Sequence, residues 1–93
     1  MNYKQQNYSI KMFKLLSNHN RLKVLDYISE NNGKSTVGQI AAKFDVEIKT
    51  LSGHLVKLKD NGLIKARQDN TNIYYSIKDE RIIELINLAK KLA

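Results

Sequence analysis

Ninety-three residues, 42% hydrophobic and 27% charged, suit one small globular domain and leave little room for a second. Sixteen Lys and Arg against nine Asp and Glu give a net charge of +7, which favours polyanions, nucleic acid first and an anionic membrane surface second. With no Cys there can be no disulfide, thiol switch or thiolate metal site; no apolar run nears the ~20 residues of a membrane span, so a cytoplasmic protein with no membrane partner is expected.

In chain order, a first helix is expected over residues 7 to 17, with Tyr8, Ile10, Met12, Phe13, Leu15 and Leu16 pointing around more than one face. Asn18-His19-Asn20 interrupts it and supplies an Asn cap for a second helix, in which Leu22, Val24, Leu25 and Ile28 form an apolar stripe. Asn31-Asn32-Gly33 closes that helix. Thr36 followed three residues later by Gln39 is a capping box, opening a short third helix with Val37, Ile40, Ala41 and Phe44. Asp45 sits at the following turn, where a residue tolerant of left-handed backbone is needed.

A fourth helix is expected over residues 47 to 61, ending at Gly62. At ~100° per residue, Ile48, Leu51, Leu55 and Leu58 gather on a packed side. Lys49, Thr50, Gly53 and Lys57 gather opposite, with Ser52 and Val56 at the edge and His54 on the flank. Cations find phosphate or guanine, hydroxyls meet base edges, and a residue without a side chain permits close approach. Leu63-Ile64-Lys65-Ala66-Arg67 and Ile73-Tyr74-Tyr75-Ser76-Ile77 read as two strands around a longer loop of five residues. Arg67, Gln68, Asn70 and an outward Tyr74 are its candidate backbone contacts. A last helix starts near Asp79, and its apolar band (Ile82, Ile83, Leu85, Ile86, Leu88, Ala89, Leu92) is wider than one small core requires. Together with the first helix it predicts a two-fold dimer, with Tyr8, Met12, Phe13, Ile82, Ile83, Ile86 and Ala89 at the seam.

The expected fold is therefore mainly α with a β-hairpin wing: a winged helix-turn-helix domain spanning residues 1–93, with terminal dimerisation helices. Nothing resembles a nucleophile with its base, a glycine-rich phosphate loop or a metal constellation around His19 or His54. No enzyme, cofactor or metal is expected.

Three stretches resemble the ArsR family of bacterial and archaeal repressors. Residues 13 to 25 are similar to its "L-x-x-R-L-x-I-L" segment, and Thr50-Leu51-Ser52-Gly53-His54-Leu55-Val56-Lys57-Leu58 to its "S-T-V-S-x-H-L-x-x-L" recognition helix. Asn61-Gly62-Leu63-Ile64-Lys65-Ala66-Arg67 with Ile73-Tyr74-Tyr75-Ser76-Ile77 is similar to its wing. The resemblance implies a homodimer joined through first and last helices, binding an inverted-repeat operator in double-stranded DNA and blocking transcription. It implies no metal sensing through the family's Cys sites on the third helix or His sites on the last, because this chain has no Cys and no His there. His19 replaces the usual Pro, and Gly53 stands where a His is frequent. Two rival readings are a winged helix that binds a protein partner, as an antitoxin-like adaptor, and a protein that coats DNA without sequence preference.

Overall fold

The computed structural model describes residues 14, 16 and 18–92. Lys14 and Leu16 are helical, within the span expected for the first helix; Tyr8, Met12 and Phe13 lie outside the described residues. The first fully described helix, α1 (His19–Glu30), begins where the Asn18 side chain accepts a hydrogen bond from the Arg21 backbone N–H at 3.1 Å. Asn18 alone serves as the cap, and His19 is already helical rather than part of the interrupting loop. Val24, Leu25 and Ile28 are buried, as the stripe requires. The helix stops at Asn31, whose backbone N–H and side-chain amide both donate to the Tyr27 carbonyl. Gly33 then turns with φ +77°, a conformation open to glycine at little cost.

A two-residue strand that the sequence reading missed, β1 (Ser35–Thr36), follows. Helix α2 (Val37–Phe44) opens on the complete capping box: Gln39 N–H donates to Thr36 Oγ1 at 3.3 Å, and Thr36 N–H to Gln39 Oε1 at 2.9 Å. Asp45 ends it in the left-handed region (φ 53°, ψ 50°). Helix α3 (Ile48–Asp60) starts after two intervening residues and buries Leu51, Leu55 and Leu58. Ile48 departs from expectation: it is 55% exposed, because the first turn of α3 extends beyond the core that the leucines reach.

Strands β2 (Ile64–Asp69) and β3 (Asn72–Ile77) form an antiparallel hairpin, and β1 adds to the other edge of β3, giving the order β1-β3-β2. The expected five-residue loop is in fact a two-residue turn, Asn70-Thr71, because Asp69 pairs with Asn72 and Gln68 with Ile73 on the ladder. Asn70 takes the positive φ of 57° that the tight turn demands, a conformation Asn tolerates better than most residues. Helix α4 (Glu80–Leu92) is capped by Asp79, whose carboxylate accepts from the Arg81 N–H at 2.8 Å.

One apolar cluster joins these elements, with Leu25, Ile28, Ile40, Leu51, Leu55, Leu58, Leu63, Ile64 and Ile86 essentially solvent-free. Each such side chain contributes about 1.5–3 kcal/mol relative to exposure. An ion pair from Lys90 Nζ to Asp26 Oδ1, at 3.0 Å, fastens α4 to α1. Ile82 and Ile86, expected at a dimer seam, lie inside this core and offer no surface to a second copy. Periodicity could not divide the wide apolar band between the chain's own core and a partner. Of the seam residues expected on α4, Ile83 and Ala89 are half-buried, while Leu88 and Leu92 are the exposed apolar groups.

Candidate nucleic-acid interface

Three buried leucines fix the rotation of α3 about its axis, and rotation decides what faces outward. Lys49, Thr50, Gly53, Val56 and Lys57 are all exposed, a continuous strip opposite the leucine seam. Among the described residues, neither lysine forms an ion pair, so both ammonium groups are available to phosphate or to guanine. Glu47 is the N-cap residue and makes no side-chain cap hydrogen bond, so its carboxylate stands at the positive end of the helix dipole, and no acidic residue follows it in the first turn. Ser52 is half-buried at the edge of the strip.

Gly53 is informative because its smallness has no internal reason. A Cβ placed there meets nothing within 4 Å. Glycine inside a helix costs about 0.5–1 kcal/mol relative to alanine, so the residue weakens the fold without easing any packing. What it does provide is a bare stretch of backbone on the exposed strip. Val56, one turn along and expected at the edge of the strip, is 57% exposed and adds a pair of methyl groups to it.

His54 is placed differently from the strip residues. It is half-buried and lines a cleft with Asn20, Arg21, Val24 and Phe44 on the flank of α3. Thr50 borders both the cleft and the exposed strip.

Strand alternation sorts the hairpin into two faces. Ladder partners share a face, so Lys65, Arg67 and Tyr74 lie on one side, while Ile64, Tyr75 and Ile77 lie on the core side. Tyr74 thus faces outward, and the Arg67 guanidinium stacks over its ring at 5.0 Å. Arg67 also reaches Asp69 at 3.8 Å, an exposed pair that holds the arm loosely. Burial pushes the Tyr75 phenol above its ordinary range. Gln68 falls on the face opposite Arg67, and its side-chain amide donates to the Asn70 carbonyl at 3.3 Å. Gln68 and Asn70 are both exposed at the turn, Gln68 on a different side of the hairpin from Lys65 and Arg67.

Among the described residues, no group of three or more His, Cys, Asp or Glu converges in a way that could hold a metal, and no helix is long and apolar enough to cross a membrane. The arrangement offers charge, hydroxyls and shape to a partner.

Comparison with known proteins agrees with this layout. An HTH-type transcriptional regulator of Methanocaldococcus jannaschii is 36% identical over 81 residues, covering 87% of this chain and 90% of that protein. An HTH-type transcriptional regulator of Mycobacterium tuberculosis is 35% identical over 80 residues; the match covers 86% of this chain but only 34% of that longer protein. Among solved structures, a Mycobacterium bovis domain described as a homodimeric winged helix-turn-helix DNA-binding domain superposes with a TM-score of 0.86 at 29% identity, covering 96% of this chain and 81% of that one. Residues 18–66, which run from the Asn18 cap through α3 into β2, match the family of bacterial regulatory proteins named for arsR. The chain is a winged helix-turn-helix protein and belongs to the ArsR family of transcriptional regulators.

Proposed function

We propose that this chain acts as a cytoplasmic homodimeric repressor that recognises an inverted-repeat operator in double-stranded DNA. The observation that carries the proposal is the exposed strip of α3, held in a fixed orientation by Leu51, Leu55 and Leu58. A major groove about 12 Å wide accepts one helix, N-terminal half foremost. In that pose Lys49 and Lys57 meet phosphate or guanine, Thr50 and Ser52 reach base edges, and Gly53 lets the backbone approach closely. Val56 then presents its methyl groups to the thymine C5-methyl, the one apolar feature of the groove floor. Arg67, steadied by Tyr74, carries the wing to the flanking backbone.

Two copies are needed to read an inverted repeat. Leu88 and Leu92, exposed on α4 beside half-buried Ile83 and Ala89, supply apolar surface for the pairing. The homodimeric state of the M. bovis domain supports the same arrangement. A two-fold dimer places its recognition helices about 34–36 Å apart, one turn of duplex.

The test is selection of duplex sites by the purified protein from a random DNA pool near physiological salt. Enrichment of an inverted repeat with half-sites about one turn apart, roughly 10 base pairs, is the expected result. A folded protein that enriches no sequence contradicts the proposal and favours a protein-docking role or sequence-blind DNA binding.

A further inference from the structure

The flank of α3 holds a feature that groove reading does not use. A cleft of about 220 Å³ opens where three elements meet: the first turns of α1 (Asn20, Arg21, Lys23, Val24), the turn after α2 (Phe44, Val46) and α3 itself (Thr50, Leu51, His54). Two cations line it and no carboxylate does; Asp45 and Glu47 flank Val46 in sequence but do not line the space. The first turn of α1 carries no acidic residue, so the positive end of that helix dipole adds to the same field. The Arg21 Nε is buried and has no hydrogen-bond partner. Buried polar groups are nearly always satisfied, so this donor lacks its acceptor; closed to solvent as it stands, it meets an anion in the cleft once the Arg21 side chain turns toward it.

We propose that this cleft is an oxyanion site: it seats a phosphate-like group between the start of α1 and the flank of α3. The chemistry fits on three counts. Arg21 offers a guanidinium suited to planar, bidentate capture of phosphate or carboxylate, Lys23 adds a point charge, and Asn20 and Thr50 add neutral donors. The volume exceeds the roughly 10–15 Å³ that one water needs, so it has room for a small anion. Because Thr50 and His54 form one wall, an occupant bears directly on the helix proposed to read DNA.

Two sources share this chemistry. One is a phosphodiester of the operator backbone, which rests on the DNA-binding reading above. The other is a free anion that acts as an effector, which requires no duplex.

The experiment has two arms, using the full chain. In the first, inorganic phosphate is titrated against a chloride control at constant ionic strength while the amide resonances of Arg21, Thr50, Leu51 and His54 are followed by NMR. A saturable shift in the wild type, lost in Arg21→Gln and retained in part in Arg21→Lys, supports the site; shifts no larger than those from chloride overturn it. This arm reads the cleft even if the protein binds no DNA. In the second, affinity for the selected duplex is measured against salt, with and without saturating phosphate. A backbone occupant predicts that phosphate competes with DNA, and that Arg21→Gln loses about one unit of salt slope. A free effector predicts an unchanged slope and a phosphate effect on affinity that Arg21→Gln abolishes. Circular dichroism of both variants checks that they fold, and a Lys23→Gln variant, predicted to weaken phosphate binding less than Arg21→Gln, gives an independent readout. Should neither Arg21→Gln nor Lys23→Gln alter phosphate binding, the site is wrong.

Discussion

Helix α3 and the β2–β3 hairpin both present basic residues to solvent, yet they are held in place by different physics. Three leucines of α3 are at most 1% exposed, so its orientation is set by the core. The hairpin buries only Ile64 and Ile77, at its base. Beyond them it relies on Tyr75 packed against the core, on β1 paired with Tyr74 and Tyr75, and toward the tip on ladder hydrogen bonds, the Arg67–Tyr74 stack and the Gln68–Asn70 bond across the turn. A rigid element suits sequence reading, where misplacement by an ångström removes a base contact. A lightly held arm suits a phosphate backbone that bends from site to site.

The largest effect that separates the two comes from Leu55→Ala. Deleting a core leucine should cost about 2–5 kcal/mol, a large part of the stability of so small a fold, and should lower the urea midpoint steeply. A loss below about 1 kcal/mol would mean that α3 is not anchored as described. Lys57→Ala should leave the urea midpoint nearly unchanged while weakening binding to every duplex and reducing the salt slope by about one unit. An unaltered slope removes Lys57 from the contact surface.

Gly53→Ala should move stability and binding in opposite directions. The added methyl group meets nothing in the free protein, so the fold should gain about 0.5–1 kcal/mol, read as a higher Tm. Affinity for the selected duplex should fall, because the same methyl group stands between helix and groove. If stability rises while affinity holds, the strip does not approach DNA at Gly53.

Arg67→Ala sharpens the comparison from the wing side. The stack on Tyr74 is exposed, so its removal should cost no more than about 1 kcal/mol, whereas duplex affinity should drop and the salt slope should lessen. The smallest effect concerns pH. Burial raises the Tyr75 phenol above its ordinary value, so the folded chain holds that proton more tightly than the unfolded chain. The resulting stability is complete below about pH 10 and is lost as pH rises through the folded value. Tyr75→Phe should flatten that alkaline decline in a thermal melt; an equal decline in both proteins assigns it elsewhere.

Much of this was legible in the residues themselves. Caps are local chemistry, and Asn18, Thr36 with Gln39, and Asp45 each act where side-chain type and spacing placed them. The leucine seam of α3 followed from helical period alone. The missed features depend on longer range. Two residues of β1 are too few to carry a strand pattern and exist because Tyr74 and Tyr75 offer them a free edge. Asp69 and Asn72 are turn formers by type and so lengthen the expected loop to five residues, yet the ladder pairs them. Ile48 shows that period assigns a face but not how far the core extends. The cleft joins Asn20 and Arg21 to Thr50 and His54, positions some thirty apart in the chain, and only the packing of α1 against α3 brings them together.

In the proposed function α3 reads the groove while the wing holds the flanking backbone. Hydroxyl-radical footprinting of the selected duplex tests this directly, comparing wild type with Arg67→Ala. The account predicts protected patches one helical turn apart at the half-sites, with flanking patches outside them that fade in Arg67→Ala while the central ones remain. Uniform protection along the duplex, or central patches that vanish with the wing substitution, would contradict it.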